Sequence, residues 1–183
     1  ASGDVATLQI DTTDKVFRHV AAELAFPGPL AKGAGTNKAE KLAVRRVQEW
    51  LCIHGCTTPI DSAFEDSTTD QLKAFQLKAG RLPTGQLDEE SWVLLTTPMR
   101  KALGKIERAA QMSFEELVIA VASQHIGQNP IEVGGNNRGP WVRLYMAGLE
   151  GEEQRWCAGF VCFVVAQAAR DLGVAMPFKR EVG

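Results

Sequence analysis

One of the four cysteines lies in a setting that suits a thiol nucleophile. Cys157 follows the polar run Gly151–Arg155 and opens an apolar segment that predicts a buried helix over Trp156–Leu172. A cysteine in the first turn of a helix faces free backbone N–H groups and the positive end of the helix dipole, and both favour the thiolate. The same amides can hold the oxyanion that forms when a carbonyl is attacked. We therefore predict Cys157 as the nucleophile; the alternative is a buried structural thiol, which we expect for Cys162.

A thiol nucleophile needs a base, which is usually a histidine held by a third polar group. The chain has three histidines, His19, His54 and His125, and all of them precede Cys157. His125 falls near the end of an apolar helical segment in the same region, so it is the candidate base. Its ordinary role would be that of a helix-terminal histidine near the last carbonyls. We expect His54 at a helix C-terminus and His19 on a solvated face.

Polar residues between these two positions could shape a substrate groove. Glu132 and the Asn136–Asn137 turn precede Cys157, and Trp156 is its direct neighbour. A turn built from asparagine and glycine explains the same loop without a substrate.

The segment Cys52-Ile53-His54-Gly55-Cys56 resembles part of a metal site. It offers three ligands in one helical turn and lacks the second cluster that would complete a tetrahedron. We expect buried or incidental thiols here, with no metal and no cofactor. Four cysteines in two close pairs do not form a disulfide framework for a chain of 183 residues.

Helical periodicity dominates the elements that must position these residues, and no convincing alternating strand is present. We predict a mainly α fold in four segments: an N-terminal helix and linker over 1–38, a three-helix unit over 39–97, a connector helix over 98–112, and a second domain over 113–183. The individual helices are predicted from a cap at Thr13, over Lys41–His54 and Asp66–Ala79, from Asp88, and over Met99–Gln111.

The three-helix unit resembles the peptidoglycan-binding family often appended to cell-wall amidases and phage lysins. Three motifs carry the resemblance: V-x-x-x-Q-x-x-L-x-x-x-G, D-x-x-F-x-x-x-T-x-x-x-x-x-x-F-Q and G-x-L-x-x-x-x-W-x-x-L. In this chain they are Val44, Gln48, Leu51 and Gly55; Asp61, Phe64, Thr68, Phe75 and Gln76; and Gly85, Leu87, Trp92 and Leu95.

This resemblance implies a glycan cleft around the turn Asp61–Glu65, with Asp61, Phe64 and Glu65 as binding residues. Family members usually carry glycine where this chain has Glu65. Nearly all the matching residues are core or turn residues, so a scaffold that no longer binds glycan stays open as the alternative.

Residues from about Phe114 to Gly173 resemble the N-terminal part of the CHAP family, the cysteine amidases and endopeptidases of peptidoglycan. The run Trp156-Cys157-Ala158-x-Phe160-Val161 is the most diagnostic piece, after Gly127, Glu132, Gly135-Asn136-Asn137-x-Gly139 and Tyr145. The resemblance implies the helical half of a papain-like α+β domain, with Cys157 as nucleophile and an acyl-enzyme intermediate.

The chain departs from that family because no histidine follows Cys157. In the family the histidine lies several dozen residues later, on a small antiparallel sheet. We therefore expect that the intact protein hydrolyses peptidoglycan and that this chain is an inactive fragment. Two alternatives are a non-catalytic peptidoglycan-binding protein that uses this half as a scaffold or interaction surface, and a helical interaction protein without wall affinity.

The composition of the chain limits the classes of binding partner that we expect. A formal net charge of −2 argues against nucleic acid, and the longest apolar run is too short to span a membrane. No signal peptide is visible, and the expected site of action is the cell wall, periplasm or extracellular space. Peptidoglycan is the expected partner. Without its sheet, the apolar helix Trp156–Leu172 could also pair two copies of the chain.

Overall fold

The computed structural model describes residues 17–178, and helices make up nearly all of the regular structure there. No strand occurs within these residues; the one β-bridge joins Leu30 to Leu87. The prediction of a mainly helical fold is confirmed, whereas the α+β character implied by the second resemblance has no counterpart in the described part. The predicted cap at Thr13 lies outside the described residues. The helices are α1 (Arg18–Leu24), α2 (Lys38–Ile53), α3 (Asp66–Lys78), α4 (Glu89–Leu95), α5 (Thr97–Leu103), α6 (Phe114–Ile126), α7 (Pro140–Tyr145) and α8 (Trp156–Leu172).

Local capping explains where several helices begin. The Asn37 side chain accepts hydrogen bonds from two backbone N–H groups, so α2 begins at Lys38, three residues before its predicted start. Asp88 caps α4 as predicted, by accepting from the Ser91 amide. Ser113 and Glu116 form a reciprocal capping box at the start of α6.

The predicted connector helix Met99–Gln111 is wrong in its second part, after Leu103. Helix α5 ends at Leu103 because Gly104 takes an extended conformation, and only a short 3-10 turn, Ala109–Gln111, follows. The Gln124 side chain of α6 donates to the carbonyl oxygens of Ala102 and Gly104 at 2.9 and 2.7 Å. A distant side chain thereby satisfies carbonyls that a continuous helix would have bonded internally.

The dense turn predicted before Pro140 leads directly into a helix that the pattern did not predict. Pro140 occupies the first turn of α7, where a missing N–H costs nothing, and Gly139 has a φ of 107°. Every residue of α7 is buried. A six-residue helix is too short to show periodicity in the sequence. It is also too short to be stable alone, so tertiary packing decides whether it forms.

One hydrophobic core joins the three-helix unit to the rest of the chain. It contains residues of all five helices from α1 to α5 and continues into α7 and α8. The rings of Trp50 and Trp141 meet with centroids 6.2 Å apart. A smaller cluster lies between α6 and α8, around Leu117 and Val164. The predicted domain boundaries stay a prediction, but the core does not stop at them.

Candidate functional site

The turn after α2 is held by a single buried amide. Gln48 is fully buried, and its Oε1 accepts from the backbone N–H groups of Asp61 and Ser62 at 3.1 and 2.9 Å. Its Nε2 donates to Asp61 Oδ1, the Ala63 carbonyl and Thr68 Oγ1. Ser62 takes a φ of 68°, a conformation rare for a residue with a side chain. The turn is thus fixed in one shape before any ligand arrives.

The three residues predicted to bind glycan at this turn have different positions. Asp61 and Glu65 are exposed, whereas the Phe64 side chain is completely buried. Phe64 therefore supports the turn from the core, and its backbone pairs with Gly33 and Ala34 at 2.8 and 3.0 Å. Hydrogen bonds from the Ala63 amide and Gln48 hold the pKa of Asp61 below its usual value, so this carboxylate is charged near neutral pH.

A second buried amide repeats the arrangement after α3. Gln76 Oε1 accepts from the Gly85 N–H at 2.9 Å, and its Nε2 donates to Thr84 Oγ1, the Gln86 carbonyl and Ser91 Oγ. The sequence motif identified both glutamines, but it gave no indication that each holds the turn beyond its own helix. A buried glutamine in such a motif, followed by a turn, is the signal that could have predicted it.

The structure brings most of the predicted site residues of the second half of the chain (residues 98–178) together at the start of α8. Trp156 Nε1 donates to Glu132 Oε1 at 2.7 Å, and Glu132 Oε2 accepts from the Asn137 amide at 2.8 Å. Asn137 also donates through Nδ2 to the Glu152 carbonyl at 2.9 Å. Asn136 lies exposed in the same loop. The loop Glu132–Asn137 is thereby tied to the helix start that carries Cys157.

Cys157 itself is exposed in the first turn of α8. Its neighbour Trp156 stacks on the Tyr145 ring, with centroids 5.6 Å apart and planes at 6°. The predicted central burial of α8 applies to Gly159 and Phe163–Ala169 and not to Trp156–Ala158. Cys162, predicted to be a core thiol, is half-buried.

His125 is buried in a position that does not suit a base. Its Nδ1 lies 3.0 Å from the Tyr145 hydroxyl and its Nε2 3.0 Å from Gln167 Oε1. Burial is the main reason that its pKa falls to about 4, against a smaller opposing effect from Gln167. A neutral imidazole has one donor and one acceptor nitrogen, and both are engaged here. The proposed role of His125 as base therefore has no geometric support, and the ring acts as a buried connector of α6, α7 and α8.

A cluster of buried charges joins α1 and α2 to α7 and the loop after it, and the sequence pattern gave no indication of it. Arg143 of α7 donates to Glu23 at 2.8 Å, to Glu49 at 2.6 Å and to Glu150 at 2.8 Å. Arg45 bridges Glu49 and Glu150 at 2.9 and 2.6 Å. The carboxylates outweigh burial and raise the pKa of the Arg143 guanidinium. Charge patterning along the chain could not show this, because Glu23 and Arg143 are 120 residues apart.

Cys52 lies in α2, and Cys56 follows the end of this helix. Cys52 donates to the Thr58 carbonyl at 3.4 Å, and burial raises the pKa of the Cys56 thiol. Among residues 17–178, no group of three potential ligands is placed to hold a metal ion. In the same stretch, no helix is long and apolar enough to cross a membrane.

Comparison with known proteins supports the first of the two resemblances. A family model described as "Putative peptidoglycan binding domain" matches residues 40–95, which contain most of α2, all of α3 and α4, and both glutamine-held turns. No curated protein and no solved structure matches the chain. The comparisons thus support a peptidoglycan-binding domain in the first half and say nothing about hydrolysis.

Proposed function

We propose that this protein binds peptidoglycan through residues 40–95, at a cell-wall-related site of action. The observation that carries the proposal is the family match over these residues. The turn at Asp61–Glu65 supports it, because a buried amide fixes its shape and two carboxylates remain exposed on it. Carboxylates accept hydrogen bonds from sugar hydroxyls and peptide amides, which are the donors that peptidoglycan offers.

Co-sedimentation of the chain with purified sacculi tests this proposal. We expect the wild type to pellet with sacculi and Glu65→Ala to bind about three- to tenfold less, as expected for loss of one hydrogen bond. Glu89→Ala is the matched control, since Glu89 is also an exposed carboxylate at a helix start of the same unit. Wild-type protein that stays in the supernatant would contradict the proposal.

A second candidate is a cysteine-dependent peptidoglycan hydrolase with Cys157 as nucleophile. The favouring observation is the exposed thiol in the first turn of α8, beside the tethered Glu132–Asn137 loop. Within residues 17–178, none of the three histidines forms a hydrogen bond to Cys157, and both ring nitrogens of His125 are engaged. The nucleophile would therefore need a base from elsewhere, so we expect no catalysis by these residues alone.

Mass spectrometry of material released from sacculi separates the two candidates. Binding without release of soluble fragments would fit the non-catalytic protein. Release that persists in Cys162→Ala and disappears in Cys157→Ala would establish the hydrolase and require a base other than His125.

A further inference from the structure

A cavity of about 320 Å³ lies at the seam between the three-helix unit and the helices that follow it. From the unit, the ends of α2 and α3 contribute His54 and Lys78; from beyond it come Lys101 of α5 and Gln128 after α6. Because Lys101 and Gln128 lie outside residues 40–95, the matched domain does not form this cavity alone. Its position is also separate from the turn at Asp61–Glu65.

The cavity is positively charged. Lys78 and Lys101 both line it, and no acidic side chain does. In the part of the chain that the structure describes, neither lysine forms an ion pair; Lys78 Nζ makes one long hydrogen bond, of 3.5 Å, to the His54 carbonyl. Each ammonium group has three donors, so both retain capacity to bind an anion.

Two helix C-termini next to the cavity make anion binding there dependent on these two lysines. The C-cap of α2, His54, and the last residue of α3, Lys78, both lie at the cavity. Free carbonyls at a helix C-terminus carry partial negative charge and repel anions. An anion can therefore bind here only through the lysines, and their removal should leave a site that disfavours it.

The remaining walls suit a small peptide. Phe75, Ala79, Leu94 and Pro98 supply apolar surface, and Gln128 supplies an amide for hydrogen bonds. The volume is at the lower end of the roughly 300–1,000 Å³ range of ligand pockets. A short peptide end with methyl side chains and one carboxylate matches these walls in size, apolarity and charge.

We propose that this cavity binds the carboxylate-bearing C-terminal end of a peptidoglycan stem peptide, with the carboxylate ion-paired to Lys78 and Lys101. This assignment rests on the proposed peptidoglycan binding, which it deepens: the turn at Asp61–Glu65 contacts the polymer, and the cavity selects stems with a free peptide end. Glycan strands without stems would then bind less tightly than intact sacculi.

His54 provides a direct readout of occupancy. Its Nε2 lies 2.8 Å from the Leu95 carbonyl, and burial, with a further effect from the Lys78 charge, lowers its pKa. A carboxylate that pairs with Lys78 would offset that charge. Ligand binding should therefore move the ring resonances of His54 and raise its pKa, which a purely structural role of the lysines would not do.

The experiment is an NMR titration of the histidine-labelled full chain with diacetyl-L-Lys-D-Ala-D-Ala, whose only charge is its terminal carboxylate. The C-terminal amide of the same peptide is the matched ligand control. We expect the acid to shift His54 and the amide to leave it unmoved. The double variant K78Q/K101Q should bind the acid at least tenfold more weakly, and Lys105→Gln, on the segment just after α5, should bind it like the wild type.

Each outcome decides the assignment. Equal effects of acid and amide, or unchanged binding by K78Q/K101Q, would overturn it. Inorganic phosphate could instead shift the His54 resonances, displace the peptide and bind more tightly than the peptide does. That result would point to a phosphate polymer as the ligand and would also overturn the assignment. Wild-type protein that pellets with sacculi while the peptide leaves His54 unmoved would refute this inference alone. A peptide response without pelleting would refute wall binding and leave the cavity as a peptide-carboxylate site.

Discussion

The three-helix unit and the second half hold their irregular segments with different chemistry. In residues 40–95 two neutral amides, Gln48 and Gln76, satisfy the turns beyond their helices. In the second half the loop between α7 and α8 is held by ions: Glu150 accepts from the Gly139 amide at 3.0 Å and pairs with Arg143. Neutral amides do not titrate, whereas a carboxylate cluster does. The two glutamines therefore hold their turns through groups that do not titrate, apart from the bond between Gln48 and the Asp61 carboxylate, whereas the loop of the second half depends on ionised groups.

The pKa of Glu150 illustrates this difference. Burial would raise it, but the Gly139 amide and the charges of Arg143 and Arg45 outweigh burial, so the pKa is lowered. A carboxyl group with a depressed pKa in the folded state stabilises the protein above its unfolded pKa, and that stability disappears as pH falls through the folded value. Falling pH should thus remove the stability that Glu150 contributes to the loop of the second half.

The largest expected effect comes from removing the cation that joins the two halves. Arg143→Met would leave Glu23 and Glu49 buried without their main partner, and we expect a loss of about 3–5 kcal/mol in the free energy of unfolding. Urea unfolding at pH 7 measures it. Arg155→Met is the control, because Arg155 is exposed and should change stability by less than about 0.5 kcal/mol. A loss below about 1 kcal/mol for Arg143→Met would show that the ion cluster does not hold the halves together.

His125 should make the second half sensitive to mild acid. The unfolded histidine takes up a proton near pH 6.5, but the folded one does so only near pH 4. Stability is therefore lost as pH falls between these values, by about 3 kcal/mol at about 1.4 kcal/mol per pKa unit. His125→Gln keeps a donor and an acceptor but cannot titrate, so its stability should fall less from pH 7 to pH 4. Parallel pH profiles in urea unfolding would contradict a buried neutral His125.

A smaller effect is expected from either glutamine. Gln48→Ala leaves the Asp61 and Ser62 amides without their partner, and Gln76→Ala does the same to the Gly85 amide. We expect each to cost about 1–3 kcal/mol, the penalty for unsatisfied buried groups. The loss in the free energy of unfolding should be the same at pH 7 and pH 5, in contrast to the pH-dependent stability expected for the second half. A pH-dependent loss would contradict the comparison of the two regions.

The smallest effect concerns thiol reactivity and leaves stability unchanged. Cys157 is exposed, whereas Cys56 is buried with a raised pKa. Iodoacetamide should therefore modify Cys157 about tenfold faster than Cys56 in the folded protein. Peptide mass spectrometry over time measures both, and Cys157→Ser should remove the fastest phase. Faster modification of Cys56 would mean that the three-helix unit opens more readily than the start of α8.

Local physics was enough to predict part of this protein from sequence. The helices α2, α3, α4 and α8 and the Asp88 cap follow from periodicity and capping residues, and the motif resemblance of the three-helix unit agrees with the family model that matches residues 40–95. These signals lie within a few turns of one another. Cys157 was placed at its helix start for the same reason: the polar run before it and the apolar run after it define the first turn.

Tertiary structure alone decided the rest. The break at Gly104 depends on Gln124, the short α7 exists because the core covers it, and the role of His125 is set by Tyr145 and Gln167. The same holds for the Arg143 cluster and for the cavity at Lys78 and Lys101. Each of these features depends on partners far away in the chain, and their free energy comes from burial and charge pairing that exist only after folding. The sequence pattern therefore determined the longer helices, and the fold determined the short α7, the end of α5 and the polar side chains that are left to bind.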